Sequence, residues 1–231
     1  MKPLRIAVPI TAANNEDAIQ DIKSAERLGA NICELRLDYF NYNIEKPNLE
    51  RLLGSSKIEK IVTNRIKAEG GKFEGSEDER VSYLQEAVEL GAEYIDIEKD
   101  YVYNLGMDRD KTKLIVSSHN FEKTPNNLHL NLLYDEIVKK GADIVKIATK
   151  ANNYEDSLRM LSFLLESSKN QKQEMIGICM GKEGIMTRVY GPMFGSYLTF
   201  ACLSEEQASA PGQISITELK NIWNSLGIRI N

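Results

Sequence analysis

The chain has 231 residues, with 29 lysines and arginines against 34 aspartates and glutamates, so its formal charge is −5; hydrophobic residues make up 42% and charged residues 27%. That is the balance of an ordinary soluble globular protein, and its mild acidity argues against nucleic acid or an anionic membrane as partner, since both attract a basic surface. With 2 histidines, His119 and His129, and 3 cysteines, little remains from which to build a histidine-rich metal site. Cys33, Cys179 and Cys202 lie in apolar stretches without CxxC spacing and are expected to be buried, reduced thiols of a cytosolic protein. The opening MKPLRIAVPI reaches charge too early for a secretion signal. The longest uncharged stretch, 189–204, is broken by Gly191, Pro192 and Gly195 and is too short for a membrane span. A cytoplasmic chain is expected.

In chain order, β-rich runs are predicted at 5–10, 32–38, 60–65, 94–98, 113–118, 143–148, 174–179 and 196–202. Several of the intervals have helical patterning. SEDERVSYLQEAVELG puts Val81, Leu84, Ala87 and Val88 on one face, with Ser76 as N-cap and Glu79 completing a capping box. NLLYDEIVKKG, EDSLRMLSFLLESSK and the closing ITELKNIWNSLG read the same way. Gly29-Ala30, Gly91-Ala92 and Gly141-Ala142 each end a helical segment shortly before a strand, where glycine suits the C′ position. Alternating strands and helices define an α/β chain with a parallel sheet. Eight strands in 231 residues, without a Gly-rich phosphate loop after the first, fit a (β/α)8 TIM barrel as a single catalytic domain over 1–231 better than an open sheet.

Charges interrupt strands that should be smooth. Counted from the glycine of each echo, the fifth residue is Glu34, Asp96 or Lys146 and the seventh is Arg36, Glu98 or Ala148. These positions share a strand face, which in a barrel points inward near the C-terminal rim, where such folds keep their active sites. Unpaired charges there are too costly, so they pair with one another or await a ligand. Lys146, alone among apolar neighbours in DIVKIA, reads either as a snorkelling lysine or as an amine that desolvation makes nucleophilic toward a carbonyl. His119 ends the preceding run at the same edge and is a candidate general acid or base. His129, in a polar helix start, carries no functional expectation. Arg65 and Glu69, four apart, follow the third strand, and Arg188 follows MGKEGIMT. Arginines on this rim suit an anionic substrate. A small-residue loop over 204–215, containing Pro211 and Gly212, has the composition of a mobile lid.

ELRLD, R-x3-EGG, SSHNF, DIVKIA, MGKEGIMTR, FGSYLTF and ASAPGQI, in this order, resemble the motifs of type I 3-dehydroquinate dehydratases, over nearly the whole chain. The resemblance implies a cofactor-free syn elimination of water from 3-dehydroquinate through a lysine Schiff base, giving 3-dehydroshikimate in the shikimate pathway. Lys146 then matches the condensing lysine, His119 the proton-transferring base and Glu69 the carboxylate that orients it. Glu34, Arg36 and Arg65 match residues that bind ring hydroxyls, and Arg188 the arginine that binds the ring carboxylate. Ser209 and Gln213 complete the pocket from the lid, and Met180 lines it. The resemblance also implies a homodimer. VTNR departs from the family, whose members often carry an aromatic and a serine around this arginine, so packing beside Arg65 is expected to differ.

Two rival readings remain at this stage. A class I aldolase is also a Schiff-base barrel enzyme, but its sites usually hold phosphorylated sugars on Gly-rich loops after the last two strands. A non-catalytic barrel binding a metabolite or protein would not depend on Lys146 beyond folding.

Overall fold

The computed structural model describes residues 4–41, 44–106, 108–109, 111–170 and 173–228. The first residues of MKPLRIAVPI, 1–3, lie outside them. The strands are β1 (Ile6–Ile10), β2 (Ile32–Arg36), β3 (Glu59–Thr63), β4 (Tyr94–Glu98), β5 (Lys113–Asn120), β6 (Ile144–Lys150), β7 (Glu174–Met180) and β8 (Thr199–Phe200). Between them run α1 (Asn15–Leu28), α2 (Lys46–Leu53), α3 (Glu77–Glu89), α4 (Asn127–Lys139), α5 (Tyr154–Asn170) and α6 (Ile185–Tyr190), and α7 (Ile216–Ser225) follows β8.

All 8 strands lie in one parallel sheet, in the order β7-β6-β5-β4-β3-β2-β1-β8. The remaining seam, between β7 and β8, is bridged where the Tyr197 N–H donates to the Met175 carbonyl at 2.7 Å. The molecule is a nearly closed (β/α)8-type barrel. Two expectations change in detail. The run expected as a strand over 196–202 pairs as β8 only at Thr199–Phe200, because Ser196 and Cys202 turn away to isolated bridges with Met175 and Ser215. Between β4 and β5, the described residues form a 3-10 turn at Val102–Asn104 and no α-helix.

The local signals act as the sequence suggests. Ser76 caps α3 by accepting from the Glu79 N–H at 3.2 Å, and Val81, Leu84 and Ala87 are buried while Val88 is half-buried. Gly29, Gly91 and Gly141 take left-handed backbone, with φ of 84°, 83° and 85°, which ends each helix just before the next strand. His129 is exposed on α4, where its N–H is held by the capping side chain of Asn126. The three cysteines are buried free thiols, and burial pushes Cys33 up to about 12. Among the described residues no helix is long and apolar enough to cross a membrane, and no cluster of three or more histidines, cysteines and acids could hold a metal ion.

Two separate cores follow from strand alternation. The larger lies between strands and helices and includes Val8, Cys33, Val62, Ile95, Val116, Val145 and Trp223. The smaller fills the barrel with Ala7, Ile32, Ile61, Tyr94, Ile115, Ile144, Ile176 and Phe200. Along each inner face the character changes toward the C-terminal rim: Ile32–Glu34–Arg36, Tyr94–Asp96–Glu98, Ile115–Ser117–His119 and Ile144–Lys146–Ala148. An apolar floor therefore supports a charged upper half.

Candidate active site

That upper half opens into a cavity of about 170 Å³ at the rim. Glu34, Arg36, Arg65, Glu69, His119, Lys146, Met180, Arg188, Ser209 and Gln213, all singled out from the sequence, line it together. They come from β2, β5, β6, β7 and α6, the segment after β3 and the segment after β8.

Lys146 is less isolated than its apolar strand suggests. Its Nζ donates to Asp96 Oδ2 at 2.7 Å and lies 3.5 Å from Glu34 Oε1, with the Phe200 ring centroid 4.8 Å away. Asp96 is fully shared: its Oδ1 also accepts from Arg65 Nη2 at 2.6 Å and from the Ser117 hydroxyl at 2.7 Å. Burial would raise the Asp96 carboxyl, but Arg65 and Lys146 outweigh it and hold it well below the usual carboxylate range. Arg65 is buried; Asp96, Glu98 and Glu34 overcome the effect of its burial and keep its guanidinium firmly charged. Arg36 forks onto Asp38 at 2.9 and 2.7 Å, which fixes it over the mouth of β2. Asn64, where the sequence departs from the family pattern, is buried beside Arg65, and its Oδ1 has no partner.

His119 and Glu69 form a second unit. Glu69 Oε2 accepts from the His119 backbone N–H at 3.0 Å and lies 2.8 Å from Nδ1. Burial, then Arg65 and Lys146, push the imidazole well below its ordinary value, so it rests neutral. Burial raises Glu69 to about 7, against the opposing pull of Arg65. With Glu69 ionised, Nδ1–H donates to it and Nε2 keeps a free lone pair, the form a general base needs. Phe121 stacks on the imidazole, centroids 6.4 Å apart and planes 18° apart.

Arg188 is a contrasting case. It is buried, its Nη atoms reach only the carbonyls of Phe200 and Pro211 at 3.5 and 3.3 Å, and its Nε has no partner. Burial alone lowers it to about 10, with no carboxylate to counter that effect. A cavity wall with an unpaired guanidinium is built to receive an anion. The segment after β8 covers it. The Gly181 N–H donates to the Pro211 carbonyl at 3.1 Å, Gln213 Oε1 accepts from the Ser209 N–H at 2.8 Å, and Gln207 Nε2 donates to Asp21 on α1 at 3.0 Å.

From the sequence, Asp96 and Glu98 are strand charges without an assigned place in the site. Asp96 stands two residues from a glutamate and on the face of Lys146, a signal that could have marked it. Asp38, Phe121, Ile178 and Phe200 carry no site expectation from sequence; Ile178 and Phe200 look like core there, because the runs around them are apolar.

Comparison with known proteins agrees with this geometry. The family model described as type I 3-dehydroquinase matches residues 6–230. The chain is 39% identical over 227 residues to 3-dehydroquinate dehydratase of Methanococcus vannielii, covering 95% of this chain and 98% of that protein. It is 38% identical over 227 residues to the bifunctional 3-dehydroquinate dehydratase/shikimate dehydrogenase of Arabidopsis thaliana, covering 96% of this chain but only 37% of that longer protein. A solved type I 3-dehydroquinate dehydratase from Clostridium difficile, with covalent modified comenic acid, superposes at a TM-score of 0.88 with 29% identity, covering 98% of this chain and 93% of that one. A family match across nearly the whole chain, with relatives of this similarity at both sequence and fold level, means that the chain belongs to the type I 3-dehydroquinase family.

Proposed function

We propose that this chain dehydrates 3-dehydroquinate to 3-dehydroshikimate, a step of the shikimate pathway, through an iminium formed on Lys146. The observation that carries the reading is the pairing of β5 with β6, which sets Ser117 opposite Lys146 and His119 opposite Ala148, so that an amine and a neutral imidazole open onto one cavity. Arg188, across that cavity, supplies the fork for the ring carboxylate.

The chemistry balances on these groups. Lys146 yields a proton, attacks the ketone carbon C3 and loses water; ammonium plus ketone becomes iminium plus water, so Asp96 faces one positive charge before and after. The iminium acidifies C2, and His119 Nε2 takes a C2 proton as the electron pair moves to nitrogen. The imidazolium, steadied by Glu69, returns that proton to the C1 hydroxyl, which leaves as water as the electron pair returns. A second water hydrolyses the conjugated iminium and restores the Lys146 ammonium. One water is released in net.

Protein incubated with 3-dehydroquinate and borohydride is expected to gain one reduced adduct at Lys146, read by mass spectrometry. Lys146→Ala is expected to gain none. His119→Ala is expected to trap substrate while turnover falls roughly 10²-fold or more, the scale for losing a positioned acid–base group. Unmodified wild-type protein, with no absorbance growth from conjugated product, would overturn the reading. Poor competition by a phosphorylated keto-sugar would separate it from an aldolase. A cytoplasmic homodimer belongs to the same proposal, and sedimentation of the purified chain checks its assembly.

A further inference from the structure

Arg80 lies on α3, outside the cavity, and none of its surface is exposed. Its Nε and Nη2 fork onto Glu77 at 2.8 and 2.7 Å, while Nη1 donates to Glu98 Oε2 at 2.6 Å and to the Asn64 carbonyl at 3.1 Å. The Tyr101 ring lies 5.1 Å from its guanidinium carbon. The other oxygen of Glu98 meets Arg65 Nη1 at 3.0 Å and the Ile66 N–H at 3.2 Å. Arg65 in turn holds Asp96, and Asp96 holds Lys146. Five buried charges of alternating sign thus run from a helix on the outside of the barrel to the reactive amine.

We propose that Arg80 is a positioning residue which, through Glu98 and Arg65, sets how tightly Asp96 holds the Lys146 ammonium and therefore the pH at which Lys146 condenses with a ketone. This rests on the Schiff-base reading above and deepens it. Glu98 is shared between two guanidinium groups. Without Arg80 it draws Arg65 toward itself, Arg65 releases part of its hold on Asp96, and the freed carboxylate charge turns to Lys146. Direct loss of a positive charge acts in the same direction. Removing the Glu98 charge does the reverse, because Arg65 then belongs to Asp96 alone. The other charged or titratable groups around Lys146 stay in place in both variants: Glu34 on β2, His119 on β5, and Arg36 and Arg188 at the cavity wall.

The test traps 3-dehydroquinate with cyanoborohydride across a pH series, using the full chain, and reads the adduct fraction by mass spectrometry. Arg80→Met is expected to move the midpoint of trapping upward by about one pH unit, so that adduct falls about tenfold on the acid limb. Its kcat deficit should shrink as pH rises, with KM little changed. Arg80→Lys, which keeps the charge, should restore most of the wild-type midpoint. Glu98→Gln should move the midpoint downward, and it tests the same linkage if Arg80→Met does not fold. A scaffold role alone would lower the yield of folded protein without moving either midpoint. Folded variants with unmoved midpoints, or both midpoints moving the same way, overturn the inference. Wild-type protein that forms no adduct at any pH overturns the Schiff-base reading itself and takes this inference with it.

Discussion

A buried guanidinium ordinarily comes with a carboxylate, because an uncompensated charge away from water costs several kcal/mol. Arg65 and Arg36 obey this rule and Arg188 does not. Arg188→Met is therefore expected to leave the thermal midpoint of the empty protein unchanged or raise it, while KM for 3-dehydroquinate rises roughly 10²-fold from loss of a charged hydrogen-bonding partner. A large drop in thermal midpoint would mean that Arg188 is structural. Glu69 carries the second residue-scale expectation. Its carboxyl titrates near 7, raised from its ordinary 4.5. Above that pH it is ionised and fixes Nδ1–H of His119; as pH falls through it, the acceptor is lost. The ratio kcat/KM is expected to fall on the acid side of about 7, and Glu69→Gln to remove that limb at a lower plateau. A pH-rate profile that keeps the same acid limb in the variant would assign the limb to another group. Charges such as Lys146, Glu34 and Arg36 were legible because each breaks an apolar strand. The ion pair of Lys146 with Asp96 was not, because it joins residues 50 positions apart and depends on which strand follows which around the barrel.

At the scale of elements, the segment after β8 is held by very close backbone approach. Gly212 has φ of +76°, and a Cβ there would stand 2.3 Å from the Gly181 carbonyl oxygen, a collision with backbone that cannot move aside cheaply. Gly212→Ala also forces a residue with a side chain into left-handed backbone, at about 1–2 kcal/mol. The lid is then expected not to seat: kcat/KM should fall by about tenfold or more, since seating completes the pocket, while the thermal midpoint of the barrel hardly moves. A wild-type rate in that variant would separate closure from catalysis. The small-residue composition of this segment marked it out in the sequence, but its contact with α1, Gln207 on Asp21, spans 186 positions and leaves no local mark. Strand bounds were least legible at β8, where a seven-residue run of good strand formers pairs at two residues only. Pairing there is decided by the neighbours: β1 accepts two residues of it, and β7 reaches it through a single bridge.

For the whole molecule, the barrel divides stability and chemistry between its two ends. At the end away from the cavity, Arg5 donates to Glu59 and to the hydroxyls of Tyr94 and Tyr197, and those two hydroxyls meet at 2.7 Å. This cluster ties β8, the weakly paired strand, across the floor. Tyr197→Phe is expected to lower stability by about 1 kcal/mol, the usual value of a net hydrogen bond, with kcat and KM unchanged; chemical denaturation and steady-state kinetics together check it. A rate change of the same size as the stability change would tie the two ends of the barrel together. The barrel was legible from a count of strands, whereas its closure was not, since the β7–β8 seam is made by Tyr197 and Ser196, outside both strands. The segment after β8 is also expected to give this molecule a clock. Pro211 is fastened to Gly181 and Arg188 at the cavity wall, and arrival of a ring acid at Arg188 is expected to wait for those bonds and the Asp21 clasp to open together. Loop motions of this kind take microseconds to milliseconds. The pace of substrate capture is then expected to be a property of the twelve residues 204–215, with diffusion setting only how often a molecule is waiting when they part.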